Sequence, residues 1–132
     1  MSKTFGKDEV KAFAQLSGDH NPIHLDEVYA SGTRFKRPLI HGMLVASMLS
    51  STVASKLPGP GSIYMKQELN FIKPAYVGDT IRAEVVVESI VGSKILLKTT
   101  CIAISPETGD ETVVISGPAL VYHPDVKGSN NN

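Results

Sequence analysis

The chain has 132 residues with equal numbers of opposite charges, 13 Lys and Arg against 13 Asp and Glu, and no run of like charge. This balance argues against a nucleic-acid-binding protein, and the 42% hydrophobic content argues against disorder over most of the length. The single cysteine, Cys101, can form neither an internal disulfide nor a cysteine-based zinc site, so we expect a small buried apolar residue.

The N-terminus has no apolar run of the kind found in secretory signal peptides. The longest uncharged apolar stretch, residues 42–55, is shorter than the roughly 20 residues that cross a bilayer. We therefore expect a cytoplasmic protein without a membrane partner, or a mitochondrial or peroxisomal one if the source is eukaryotic. One domain is expected over residues 1–126, followed by a disordered polar tail over 127–132.

Helical periodicity dominates the first half of the chain. Apolar residues recur at helical spacing over residues 10–16, and Gly18 is a typical C-terminal stop. Asp26 is predicted to cap a second, short helix. Between these helices, Pro22 disfavours helical geometry at Asn21, which predicts an ordered loop.

A longer helix is predicted over residues 42–57, GMLVASMLSSTVASKL, where Lys56 is the only charge. A helix that is apolar on every side is buried, and the small residues of this one would let another backbone approach closely. The Pro-Gly-Pro-Gly sequence at 58–61 ends it.

The pattern then changes to the two-residue period of β-strands. Strands are predicted over residues 63–71, 81–88, 94–104 and 113–122, and the short connections between them indicate antiparallel hairpins. Pro118 lies inside the last strand, which predicts an edge position or a bulge. A buried helix followed by antiparallel strands favours an α+β fold with the sheet wrapped around the helix.

Asp19 and His24 are the strongest candidates for chemistry. They lie five residues apart in a loop stiffened by Pro22, where a turn can bring a carboxylate and an imidazole together. Such a pair can hold a water molecule and transfer protons in both directions. The alternative is structural: Asp19 and Asn21 would form side-chain-to-backbone turns, and His24 would be a partly buried polar residue. Spacing alone leaves both interpretations open.

Other site chemistries find little support. Four histidines are present, but none belongs to a helical His-Glu-x-x-His motif, and no metal site is expected. No Gly-x-Ser-x-Gly motif or glycine-rich phosphate loop is present, which argues against a nucleophilic mechanism and a nicotinamide or flavin cofactor. Gly42, at the start of the long predicted helix, is either a donor of its N–H to a developing negative charge or a tight packing residue.

The segment Phe13–Leu25, FAQLSGDHNPIHL, resembles the hydratase signature of the MaoC-like, R-specific enoyl-CoA hydratases. The resemblance continues through RPLIHGM, LPGPGSIY, LNFIKP and VGD in the same order, and the short mitochondrial 3-hydroxyacyl-thioester dehydratases share it. It implies the hotdog fold, in which an antiparallel sheet wraps a long helix, and a homodimer with the substrate tunnel near the subunit interface.

The resemblance also implies roles for individual residues. The aspartate and histidine of the signature, which activate or release water in this family, are Asp19 and His24 here. Asn21 would help to order the site, and Gly42 would supply an N–H to the oxyanion. Ser50 matches a serine that supports the site.

The implied reaction is the reversible hydration of a trans-2-enoyl thioester of CoA or acyl carrier protein to an (R)-3-hydroxyacyl thioester. We expect Asp19 to act as the base and His24 to deliver the proton to carbon 2, with no cofactor because no redox change occurs. Val53, one turn beyond Ser50, is predicted to limit the acyl-chain length, with ordinary core packing as the alternative. Two other functions remain open, a hotdog thioesterase and a non-catalytic acyl-binding subunit.

Overall fold

The computed structural model describes residues 1–128, and an antiparallel sheet and a long helix form its centre. The helices are α1 (Lys7–Ser17), α2 (Pro22–Leu25), α3 (Glu27–Ser31) and α4 (Gly42–Ser55). The strands are β1 (Ser2–Thr4), β2 (Ile63–Gln67), β3 (Asn70–Phe71), β4 (Thr80–Val91), β5 (Lys94–Ile104) and β6 (Glu111–Tyr122). Their order in the sheet is β1-β4-β5-β6-β2, with β3 also paired to β6. The predicted α+β class is confirmed.

One face of α4 packs against β4 and β5 and contributes Leu44, Val45, Met48 and Leu49 to the main core. Burial of each leucine- or valine-sized side chain contributes about 1.5–3 kcal/mol. On the sheet side, Cys101 is fully buried with its thiol 3.7 Å from the Val45 carbonyl. Burial raises the pKa of that thiol to about 12, so Cys101 is the unreactive apolar residue that the sequence predicted.

The prediction that α4 is buried on every side is wrong for the single chain. The sheet covers only one face of the helix, and Met43, Ser47, Ser50 and Ala54 are exposed on another. Met43, with 59% of its surface exposed, is the only large apolar residue among them. The helix has no charged residue, but most of its small and hydroxyl side chains lie away from the sheet.

The predicted edge position of Pro118 is also wrong, because β6 lies between β5 and β2. The Pro118 carbonyl accepts a hydrogen bond from the Glu68 N–H, in the gap between β2 and β3. In an antiparallel strand, the backbone nitrogen and the carbonyl of one residue face the same neighbouring strand. The Pro118 nitrogen, which has no hydrogen to donate, therefore faces the gap between β2 and β3. The Glu68 carbonyl lies so close to the neighbouring Gly117 that there is no room for a Cβ atom at this position. The predicted strand 63–71 is therefore divided into β2 and β3.

The local helix signals are confirmed. Gly18 ends α1 in the left-handed conformation with φ of 81°, and its N–H donates to the Ala14 carbonyl. The Asp26 side chain accepts from the Tyr29 N–H and caps α3. No helix that the structure describes is long and apolar enough to cross a membrane.

The C-terminal boundary is described in part. The Gly128 N–H donates to the Gly92 carbonyl at 2.7 Å, inside the region predicted as a disordered tail. The rest of that predicted tail, 129–132, lies outside the described residues. The division into residues 1–126 and 127–132 stays a prediction.

Candidate active site

The loop between α1 and α2 is held by two successive side-chain turns. Asp19 Oδ1 accepts from the Asn21 N–H at 3.1 Å, and Asn21 Oδ1 accepts from the Ile23 N–H at 3.2 Å. Asn21 thereby caps α2, in which Pro22 occupies the first turn. The turns that the structural interpretation predicted are present, and they fix the Asp19 carboxylate by only one of its two oxygens.

His24 is half-buried on α2 and is anchored to the backbone. Its Nδ1 lies 2.7 Å from the Leu39 carbonyl oxygen, and the Leu39 N–H donates in turn to the Ile23 carbonyl. Because a carbonyl oxygen can only accept, Nδ1 carries the proton and the neutral ring has its lone pair on Nε2.

The pKa of His24 is lowered from its ordinary value of 6.5. Burial is the largest cause, since it disfavours the charged form, and the neighbouring His41 lowers it further. The bond to Leu39 and the Asp19 carboxylate raise it, but burial outweighs them. His24 is therefore neutral near pH 7 and able to accept a proton at Nε2.

His41 is a site residue that the sequence analysis did not select. It is the N-cap of α4 and only 1% exposed, and its ring stacks on that of His24 with 3.9 Å between centroids. The Phe13 ring contacts the His41 ring edge-on, with 4.9 Å between the ring centroids. His41 Nε2 lies 3.0 Å from the backbone carbonyl of Asp19, to which it must donate. The one available signal was the position of His41 directly before Gly42.

Asp19, His24 and His41 form one cluster in which a polar atom of each lies within 4.8 Å of those of the other two. A carboxylate oxygen and two imidazole nitrogens at this spacing suit a bound water molecule and also belong to the usual ligands of a divalent cation. The expectation that no metal is bound stays a prediction.

A cavity of about 680 Å³ opens beside this cluster. Asp19, His24, His41 and Gly42 contribute to its wall, and most of the remaining lining is apolar. Arg34 and Lys73, both exposed, also contribute to the lining. The cavity thus combines the Asp19 carboxylate and the His24 imidazole with apolar surface and two flanking cations.

Gly42 is the first residue of α4, where backbone N–H groups have no intrahelical acceptor. A Cβ atom at this position would lie 2.6 Å from the Phe71 ring, so glycine permits that aromatic contact. The packing role and the N–H donor role are therefore compatible at Gly42.

Ser50 and Val53 do not line this cavity in the single chain. Ser50 lies on the exposed face of α4. Val53 is 1% exposed and packs in a second apolar cluster with Ile95, Leu97 and Val121. Their predicted roles in substrate binding stay predictions.

A protein-family model described as MaoC like domain matches residues 1–105. The chain belongs to the MaoC-like domain family. A relative of this MaoC-like chain, the (R)-specific enoyl-CoA hydratase of Aeromonas caviae, is 52% identical over 90 residues, covering 68% of this chain and 67% of that protein. An (R)-specific enoyl-CoA hydratase of Rhodospirillum rubrum is 41% identical over 126 residues, covering 94% of this chain and 83% of the relative.

Among solved structures, the (R)-hydratase from A. caviae involved in PHA biosynthesis superposes on the MaoC-like chain with a TM-score of 0.86. It is 43% identical, and the match covers 94% of this chain and 92% of that one. The hotdog architecture implied by the resemblance is therefore confirmed.

Proposed function

We propose that this MaoC-like chain is a hydro-lyase that reversibly hydrates trans-2-enoyl thioesters to (R)-3-hydroxyacyl thioesters. One observation carries the proposal: the Asp19 carboxylate, the His24 imidazole and the N-terminus of α4 at Gly42 line a single, mostly apolar cavity. The names of the relatives support this reaction.

The Gly42 N–H binds the thioester carbonyl oxygen. When water attacks carbon 3, negative charge develops on that oxygen, and a preorganised N–H at a helix N-terminus stabilises it. The apolar part of the cavity receives the acyl chain. No redox change occurs, and the reaction needs no cofactor.

Asp19 and His24 hold the reacting water. The neutral Nε2 of His24 takes one proton from the water as its oxygen bonds to carbon 3, and the electrons of the double bond move toward the thioester oxygen. The resulting imidazolium gives that proton to carbon 2 and becomes neutral again. The second oxygen of Asp19 orients the water and stabilises the imidazolium.

This assignment differs from the expectation that Asp19 is the base. The Nδ1–H of His24 is committed to the Leu39 carbonyl, and the lowered pKa favours the neutral ring. A neutral imidazole has no proton on Nε2 to deliver until it has accepted one, so His24 is the better first acceptor. His24 keeps its predicted role as donor to carbon 2.

The thioester carrier is CoA or acyl carrier protein. Arg34 and Lys73 line the cavity and lie on its exposed side, where they suit the phosphate groups that both carriers contain.

A homodimer is part of the proposal. The exposed face of α4 and the outer strand β2 present unpaired surface, and Ile63 and Met65 on β2 are about half exposed at 56% and 49%. A second copy would cover this apolar surface and the free sheet edge. Ser50 would then lie in the interface and could approach the partner's cavity.

The test is product analysis after incubation with a short trans-2-enoyl-CoA. The proposal predicts loss of the conjugated thioester absorbance, formation of the (R)-3-hydroxyacyl-CoA and no release of free thiol. Release of CoA thiol would indicate the thioesterase, and binding without turnover would indicate the acyl-binding subunit. The intact Asp19–His24 pair favours the hydratase over both.

A further inference from the structure

We propose that His41 is a positioning residue for this hydration, which joins the Asp19 loop and the His24 ring to the first turn of α4. The inference rests on the proposed function and adds a residue that acts through the two proton-transfer groups. It also gives the buried histidine a reason for its place between them.

The contacts of His41 reach both groups at once. Its Nε2–H donates to the Asp19 carbonyl at 3.0 Å, and its ring stacks on His24 at 3.9 Å with 27° between the planes. Phe13 contacts another side of the ring and prevents it from turning away. Because His41 immediately precedes Gly42, the same residue links the proton-transfer pair to the proposed oxyanion donor.

The second observation is the other ring nitrogen. His41 Nδ1 is buried and has no hydrogen-bond partner among residues 1–128. A buried polar atom without a partner is unfavourable, and a phenylalanine of similar shape would avoid that cost. Because Nε2 donates to the Asp19 carbonyl, this bond fixes the orientation of the His41 ring and leaves Nδ1 as the unpartnered atom.

The stacked His41 ring also acts on the electrostatics of His24. His24 is faced by the Asp19 carboxylate from the loop before α2, which raises its pKa, and by His41 from the start of α4, which lowers it. His41 therefore favours the neutral, proton-accepting form of His24 and also holds its ring in place. Both effects belong to the role we assign to His41.

Two variants separate these contributions. His41→Phe keeps an aromatic ring but removes the donor to Asp19, whereas His41→Gln keeps an amide donor near the former Nε2 but removes the stacked ring. His123→Phe is the matched control, since His123 is also a buried histidine, 7% exposed, with Nε2 2.7 Å from the Pro60 carbonyl, but it lies outside the cavity. All are assayed with a short enoyl-CoA across pH, at a temperature where thermal melts show folded protein.

The proposal predicts that His41→Phe lowers kcat by roughly 10², the cost of slight misplacement of reacting groups. His41→Gln should recover at least part of this loss, and in both variants the acidic inflection of kcat/KM should move to higher pH because His41 no longer lowers the pKa of His24. His123→Phe should lower the melting temperature without changing kcat or the inflection. If wild-type protein has no hydratase activity, the proposed function fails. If wild type is active but His41→Phe keeps near-normal kcat, only this inference is overturned. The same holds if wild type is active and the inflection stays unchanged in both His41 variants. Failure of both His41 variants to fold would assign His41 a purely structural role and also overturn it.

Discussion

His24 donates its Nδ1 proton to the backbone carbonyl of Leu39 over 2.7 Å, across 15 residues of sequence. This bond connects α2 to the segment that leads into α4 and fixes the tautomer of the imidazole. The lone pair on Nε2 is then the reactive one, and the proposed chemistry at the Asp19–His24 pair depends on it.

The acidic limb of the pH profile tests this state of His24. The pKa of His24 is lowered from 6.5, chiefly by burial, so the neutral base persists below that pH. We predict that kcat/KM is constant through neutral pH and decreases only as the pH falls through an inflection below 6.5. The measurement is kcat/KM for a short enoyl-CoA over the range of about pH 5–9. An acidic inflection above 6.5 would contradict the proposed neutral base.

The proposed oxyanion donor, the Gly42 N–H, can be removed without disturbing the helix. Gly42 is the first residue of α4, where proline is well tolerated, and His41 already has the extended conformation that precedes proline, with φ −53° and ψ 131°. We predict that Gly42→Pro lowers kcat by roughly 10²–10³ through loss of the N–H.

Gly42→Ala is the matched control for that experiment. It adds the same Cβ atom against the Phe71 ring but keeps the N–H. Phe71 is 55% exposed and its ring can shift, so a smaller loss of kcat is expected. Equal losses in the two variants would show that crowding by the Cβ atom, and not the donor, decides activity.

Sequence reasoning predicted local features better than long-range ones. Gly18 and Asp26 act on backbone within a few residues and have their predicted roles. Pro22 keeps Asn21 out of helical geometry as predicted, but it also begins α2, so the prediction of a loop as far as His24 is wrong from Pro22 onward. Pro118 was misplaced because its tolerance depends on the interruption between β2 and β3, which lies about 50 residues away in the chain. The α+β class followed from the change of period, since that signal extends over most of the length.

In the candidate site too, local features were predicted better than long-range contacts. Asp19 and His24 are close in sequence, and a specific signature contains both. His41 was not selected because its role depends on contacts to residues 17 and 22 positions earlier, which periodicity does not reveal. Ser50 was selected by the family resemblance, and Val53 by its position one helical turn beyond Ser50. Neither lines the cavity in the single chain, because Ser50 lies on the exposed face of α4 and Val53 packs in the second apolar cluster.

Metal removal tests the proton-transfer interpretation of the cluster. Asp19, His24 and His41 could ligate a divalent cation. In the proposed reaction, however, Asp19 and His24 hold the water, His24 moves the proton and His41 positions both groups. We predict that dialysis against EDTA leaves kcat and the melting temperature unchanged. Loss of activity that is restored by adding Zn²⁺ or Mn²⁺ would contradict the metal-free mechanism.

The cations beside the cavity test recognition of the carrier. Arg34→Gln removes a charge that lines the cavity, whereas Lys98→Gln removes an exposed charge on β5 that does not. We predict that Arg34→Gln raises KM for an enoyl-CoA several-fold at low salt with little change in kcat, and that added salt reduces the difference. Lys98→Gln should match wild type. An equal KM in Arg34→Gln and wild type would exclude Arg34 from carrier binding.

The most direct test of the account is hydration of a short enoyl-CoA by Asp19→Asn, His24→Gln and the double variant, with thermal melts in parallel. Each single change keeps the approximate shape of the side chain. Asp19→Asn removes the charge that stabilises the imidazolium, His24→Gln removes the proton acceptor, and each should lower kcat by roughly 10²–10⁴. Because both groups act on one water molecule, the double variant should be little worse than either single one. All three should remain folded, and a folded single variant that keeps near-normal turnover would contradict the assignment of this reaction to the Asp19–His24 pair.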